Sequence, residues 1–432
     1  MSRILIIIFI LFSISSHSQT YTPFDTISFD KRNLFLKEFK TRHDQKLKDM
    51  KKIFSGKVSK DMEGIYTSQF DEFSRTIENK ELYFNESIQN YLHKILYEIT
   101  NNNPSLQDKK ITVYFSRSTE PNAYSIGDGT IILNMELLRY LNDEAEIGFT
   151  ICHEIAHYIL NHRDKTIQKQ ILAQNLKEVK NAEKEIRKSK FNKQIKSEYL
   201  AKNSIYSKKN RSRYHEFQAD SLGLVFFKNT HYNITSSINL LKELSKTDIE
   251  LDSLPKASYP KNFTTKNQKF LSEWLVMEDY SKYTYSKEHI FKWNIDSLKT
   301  HPDCEQRIEK INKQIVFSKK TNFYTDKPFF DALKKRIEYE QVFNNYYIGN
   351  YGVSLYDALK LKERDSKNIF LKQMIGLNLE ALAKAKKEMK FNSYIPLINP
   401  IEQTKSEQYY YNFMSNLTLT EIQNLAKDCK SI

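Results

Sequence analysis

The heptad Cys152-His153-Glu154-Ile155-Ala156-His157-Tyr158 decides the fold around it, because two histidines four apart bracket a glutamate. On a helix a four-residue step turns about 400° and rises about 6 Å, so both imidazoles leave one face, one turn apart. That is a geometry for gripping a metal ion, with Glu154 placed to work on a water beside it. Asp143 stands where an N-cap for this helix belongs. Cys152 is rejected as a metal partner, since adjacent helical residues point about 100° apart.

Upstream of the heptad the periodicity changes character. Ile111-Thr112-Val113-Tyr114-Phe115 is β-branched and aromatic, Asn122 to Ile126 is a second short extended piece, and Gly127-Asp128-Gly129 turns the chain into Thr130-Ile131-Ile132-Leu133. The expectation is a small antiparallel sheet. Helical runs precede it, from Phe29 to Phe54 with Asp30 as N-cap and from Asn85 through Ile99, ended by Asn101-Asn102-Asn103-Pro104. Leu137, Leu138 and Leu141 start a further short helix.

A catalytic zinc takes three protein ligands and keeps a fourth position open. His162, five residues after His157, falls about 140° off the histidine face and is a poor third ligand. The metzincin arrangement fails as well, because Leu160 stands where glycine is needed and Arg163 where histidine is needed. Further on, His215-Glu216-Phe217-Gln218-Ala219-Asp220 opens an apolar helix. Glu216 and Asp220 are again four apart, so one carboxylate can meet a metal while the other accepts a hydrogen bond from a ligand imidazole.

Taken in order, Asn122-Ala123-Tyr124, the glycine turn, Glu136-Leu137-Leu138, Asp143-Glu144-Ala145-Glu146, His153 to His157 with His162, Glu216 to Asp220, and Thr300-His301-Pro302 with Arg307-Ile308 resemble the HtpX, BepA and CAAX-prenyl-endopeptidase family of zinc metallopeptidases. The chain departs from the family pattern at Gly127-Asp128 and Asn134-Met135. From about Leu82 to Ile308 the resemblance covers roughly half the chain. It implies a predominantly helical α+β zincin-type peptidase with a small antiparallel sheet and one Zn²⁺ per chain. It also implies His153, His157 and Glu216 as zinc ligands, Asp220 as their support and Glu154 as catalytic base and proton carrier. His301 is expected to donate to the oxyanion or to occupy the fourth zinc position at rest, and Arg307 to donate to the same oxygen or to hold its loop. Asn122, Ala123 and Tyr124 are the expected substrate-pairing strand.

The ends of the chain add a compartment. Met1 to Ser18, with Arg3 followed by the apolar run Ile4 to Phe12, reads as a secretory signal. The protein is therefore expected to be exported, periplasmic or associated with the cell envelope, and soluble after the signal is removed. Three cysteines do not make a disulfide framework in 432 residues. A net charge of +14 invites a nucleic-acid reading, but residues 164–213 alone hold 15 Lys and Arg against 5 Asp and Glu. Such a block reads as a solvated helical arm, with contact to an anionic membrane surface as its sharper use, and export argues against nucleic acid.

The 40% hydrophobic composition, with 27 Phe and 27 Tyr, suffices for a core, and 9 Gly and 9 Pro favour long helices. The organisation expected is a signal at 1–18, an N-terminal helical extension at 19–81, a peptidase domain at 82–315 and a C-terminal helical region at 316–432 with a faint likeness to tetratricopeptide hairpins. Trp274 to Phe291 reads as a variable rim. The function expected is a metalloendopeptidase for unfolded or misassembled exported proteins in envelope quality control. The alternative is a non-catalytic, zinc-bound, chaperone-like protein silenced by His301.

Overall fold

The computed structural model describes residues 21–176, 181, 184, 213–247, 252–277, 304–315, 320–400 and 403–430. The signal at 1–18, most of the basic arm, and His301 lie outside the described residues. The chain divides into two compact units, one of residues 24–251 and 278–344, the other of 1–23, 252–277 and 345–432. Among the described residues helix predominates, with one three-stranded sheet. Among the described residues no helix is long and apolar enough to cross a membrane.

The first unit opens with a helical hairpin, α1 (Phe29–Ile53) and α2 (Gly56–Glu78). The cap of α1 is Ser28 rather than Asp30, which lies in the first turn and meets the positive end of the helix dipole there. Helix α3 (Glu86–Asn101) is capped by the Asn85 side chain, which accepts from the Ser87 and Ile88 amides. Its stripe of Ile88, Leu92, Ile95 and Ile99 is buried.

The sheet holds β1 (Thr112–Ser116), β2 (Ala123–Ser125) and β3 (Thr130–Asn134) in the order β1-β3-β2. The hairpin from β2 to β3 is antiparallel as expected, but β1 pairs parallel with β3, so the sheet is mixed. The chain reverses twice between β1 and β3, and β3, buried at every position, takes the centre where both faces are covered. Gly129 makes the turn at φ +95, where a Cβ would run into the Lys110 carbonyl oxygen. Among the described residues no strand pairs with the outer edge of β2.

Helix α4 (Leu137–Tyr140) leads into α5 (Glu144–Ile159), the helix of the heptad, whose N-cap Asp143 accepts from the Glu146 amide. A left-handed Asn161 separates α5 from α6 (His162–Asn175). Then come α7 (213–229) and α8 (Ser236–Leu244). Helix α5 is buried from Glu144 through Ala156, against Leu224, Phe227 and Tyr232 on one side and the sheet and α3 on the other. Gly223 sets the closeness of α7: a Cβ there would stand 3.0 Å from the His153 backbone. The other sheet face is covered by Phe35, Phe39, Phe73 and Ile77 of the hairpin, which also packs Met50, Met62 and Tyr66 on Ile167 and Ile171 of α6.

The first described helix of the second unit is α9 (Ser258–Phe263). Helices α10 (Cys304–Gln314) and α11 (Lys327–Tyr347) follow, α11 lying in the first unit up to Asn344 and in the second for its last three residues, and α12 (Tyr351–Arg364), α13 (Ile369–Lys387), α14 (Lys405–Asn416) and α15 (Leu419–Lys430) complete the second. A capping box of Thr404 and Glu407 starts α14. Trp274 is buried rather than on a rim: with Tyr259 and Phe263 it surrounds Phe413, ring centroids 4.6 to 6.0 Å away. Aromatic rings of this size make their own core once one partner is available. Residues 278–291 of the expected rim lie outside the described residues.

Candidate active site

Helix α5 presents His153 and His157 one turn apart, and the first turns of α7 bring Glu216 against them. The two Nε2 atoms are 3.0 Å apart, and the Glu216 oxygens lie 3.4 Å from each. Ligand atoms of these three residues all fall within 4.8 Å of one another. A tetrahedral zinc with bonds of 2.0–2.1 Å separates its ligand atoms by about 3.3 Å, so the donor set, two imidazoles and a carboxylate, fits zinc in chemistry and in spacing. The first turns of α7 can reach α5 only because Gly223, two turns on, lets the helix backbones touch.

The supports differ for the two imidazoles. His153 Nδ1 lies 3.0 Å from Asp220 Oδ1, in a bent contact. Arg307, buried on α10, holds Asp220 through two bonds of 2.7 and 2.6 Å, and its remaining nitrogen is 3.5 Å from Glu216. The guanidinium thus fixes both carboxylates behind the cluster. His157 Nδ1 instead meets His162 Nδ1 at 3.0 Å, and His162 Nε2 meets Gln218 Oε1 at 3.2 Å. His162 stacks on His215 with ring centroids 4.2 Å apart. His162 lies outside the group of His153, His157 and Glu216 that could hold a metal, but it touches His157.

These surroundings set the charges. Burial would raise the Glu216 carboxyl, yet hydrogen bonds from His153 and His157 and the Arg307 charge hold it well below the usual carboxylate range. Burial likewise opposes ionisation of Asp220, and Arg307 overcomes it, leaving Asp220 at about 2. His153 is pulled down by burial and more than restored by Asp220 and Glu216, to about 10. Burial, then repulsion from His157 and His215, lowers His162 to about 3, so it stays neutral and can accept the His157 proton in a hydrogen bond. Glu154 is raised by burial against the pull of the two histidines. A carboxylate with a raised pKa is suited to taking up and releasing a proton.

Two cavities meet at Glu154, Glu216 and Ala123. The larger, about 420 Å³, runs along Tyr124, Ser125 and Gly127 toward Arg163 and Gln69. The smaller, about 90 Å³, is lined by Asn122 and by Leu137, Phe149 and Leu240. The edge of β2 that no described strand pairs runs past both, so the residues expected to pair with substrate stand beside the cluster. Sequence reasoning missed the part played by His162, Gln218 and Gln69. The signals for His162 were its place five residues after His157 and its part in the family resemblance, neither of which gave it a role, and nothing in spacing pointed to Gln69.

No curated protein matches this chain. The model of peptidase family M48 matches residues 86–315, which takes in the sheet, α5, the first turns of α7 and Arg307. With more than half of the chain matched and the His-His-Glu cluster formed within that span, the chain belongs to peptidase family M48, zinc metallopeptidases of the HtpX, BepA and CAAX-protease type.

Proposed function

We propose that this metallopeptidase is a zinc-dependent endopeptidase that cleaves unfolded or misassembled proteins after export, in the cell envelope. The observation that carries this reading is the edge of β2 that no described strand pairs, running past Glu154 and the cluster in an open cleft. A peptide adding to that edge is held by its backbone, which gives affinity with little demand on sequence and suits extended, unfolded chains. His153, His157 and Glu216 would hold one Zn²⁺. The chemistry the ion supplies when bound is Lewis-acid polarisation of a peptide carbonyl and acidification of water. Glu154, buried between the cavities, takes the proton of the attacking water and passes it to the leaving amine. Asp220 and His162 orient the two imidazoles, and Arg307 holds the carboxylates. The export part of the reading rests on Met1 to Ser18.

The test is incubation of the zinc-loaded protein with reduced, unfolded casein, with Glu154→Gln as control. Fragments cut internally, absent with the variant, are expected. Intact casein with a stoichiometrically zinc-loaded protein would overturn the endopeptidase reading. Fractionation of cells expressing the full chain, with N-terminal sequencing of the mature product, tests export.

A further inference from the structure

Arg163 follows the left-handed Asn161 in the first turn of α6, and its side chain lines the larger cavity beside Gly127 and does not line the smaller one. Its Nε and Nη2 donate to Gln69 Oε1 of α2 at 3.3 and 2.9 Å. Both nearby carboxylates are already engaged: Asp128 by Arg42 at 2.7 Å, and Asp164 by Lys46 at 2.7 Å and the Tyr66 hydroxyl at 3.3 Å. Among the described residues no carboxylate stands within 4.0 Å of Arg163, and Asp128 and Asp164 are each already paired with another cation. Burial lowers the Arg163 pKa, with Asp164 and Asp128 opposing. A half-buried guanidinium whose partner is a neutral amide is held at a cost, and a carboxylate supplied from outside would remove that cost.

The strand gives this site a direction. Antiparallel addition to β2 is the commoner and slightly more stable pairing. It places the substrate residues before the scissile bond toward Ser125 and Gly127, hence toward Arg163, and those after it toward Asn122. From Ala123 to Gly127 the chain advances about 13 Å at ~3.3 Å per residue, a reach of roughly two to four substrate residues. Gln69, Arg42, Lys46 and Tyr66 all belong to the α1–α2 hairpin, which precedes the matched span 86–315.

From this juxtaposition we infer that Arg163, braced by Gln69, is a subsite for an acidic side chain two to four residues before the scissile bond. The hairpin thereby adds a sequence preference to a cleft that otherwise reads backbone. The inference rests on the endopeptidase reading and deepens it.

The experiment uses the full mature chain and a set of internally quenched peptides differing only in Asp or Asn at each position from five before to three after the cut. Asp is expected to raise kcat/KM about tenfold at one position two to four before the bond, through KM. Arg163→Gln is expected to bring the Asp/Asn ratio to one, and Arg163→Lys to retain part of it. The same pairs, fluorescently labelled, are titrated into Glu154→Gln protein by anisotropy, which reads the ratio without hydrolysis. Absence of cleavage would therefore sink the peptidase reading alone. A wild-type ratio near one at every position, a preference only after the bond, or a ratio unchanged in folded Arg163→Gln would overturn the subsite.

Discussion

His162 Nδ1 stands 3.0 Å from His157 Nδ1, and its opposite nitrogen points at Gln218 Oε1, 3.2 Å away. Because the Gln218 oxygen can only accept, it fixes the proton of neutral His162 on Nε2 and leaves Nδ1 as an acceptor. His157 must then carry its own proton on Nδ1, which frees Nε2 for a metal. The two histidines of the heptad are thus oriented by different means, His153 by a carboxylate and His157 by a second imidazole.

Removing that orienting acceptor weakens the metal site without touching a ligand. His162→Ala is expected to lower zinc affinity about 10- to 100-fold, measured by competition with a chromophoric chelator. His162→Asn, whose amide oxygen can accept in place of the ring nitrogen, is expected to recover part of it. Equal losses in the two variants would mean that His162 only fills space.

Gly223 brings α7 against α5. With a Cβ 3.0 Å from His153 Cα and N and 3.2 Å from the Cys152 carbonyl carbon, alanine has only helix backbone to push against. Gly223→Ala is expected to cost about 1–3 kcal/mol in urea unfolding and to lower zinc affinity as well, since Glu216 moves with α7. Gly64 sits on the hairpin, where an added Cβ would meet nothing within 4 Å, and Gly64→Ala is the matched control expected to be neutral or stabilising.

Asp220 and Arg307 form a buried pair whose worth lies in what its rupture leaves behind. Arg307→Met strands the Asp220 carboxylate without its cation and is expected to destabilise the fold by about 3–5 kcal/mol. Asp220→Asn in the same background is expected to restore much of that, a coupling read from a double-mutant cycle in urea. The sign in pH follows from Asp220 being lowered to about 2. Its stabilising contribution is present above the ordinary carboxylate range and lost as pH falls through that range toward 2.

Much of this site could be read from residue spacing, and the reasons it could be are local. His153, Glu154 and His157 lie within one helix, where geometry follows from chain distance alone, and Glu216 and Asp220 repeat that spacing within α7. The β2–β3 hairpin was legible because Gly127-Asp128-Gly129 is turn chemistry. The parallel pairing of β1 with β3 was not, because it depends on which strand the tertiary core places in the middle. Helix α2 lies within the expected helical extension at 19–81 but was not marked out as an element, because its apolar positions, Met62, Phe73 and Ile77 among them, are spaced among charges and make sense only against the sheet and α6. Arg307 carried two readings in sequence, and its distance to Asp220, 87 residues away along the chain, is what joins it to the carboxylates. The pairing of Arg163 with Gln69 spans 94 residues and leaves no periodic trace.

Glu146 gives a last test, away from the metal cluster. Its Oε2 accepts from the Asn142 amide at 2.7 Å, closing the cap of α5, while Oε1 is buried with no hydrogen-bond partner among the described residues. Burial, with a smaller push from Asp143, raises its carboxyl to about 7 despite the Asn142 bond. A carboxyl whose folded pKa exceeds its unfolded value of 4.5 binds more protons when folded, so its contribution is full below 4.5 and is lost as pH rises through about 7. The size is on the order of 3 kcal/mol across that window. Glu146→Gln keeps an oxygen for Asn142 and removes the titration. Urea unfolding at pH 5 and pH 7.5 is expected to show a smaller fall in stability for the variant than for the wild type, and parallel falls in the two proteins would show that Glu146 ionises at little cost.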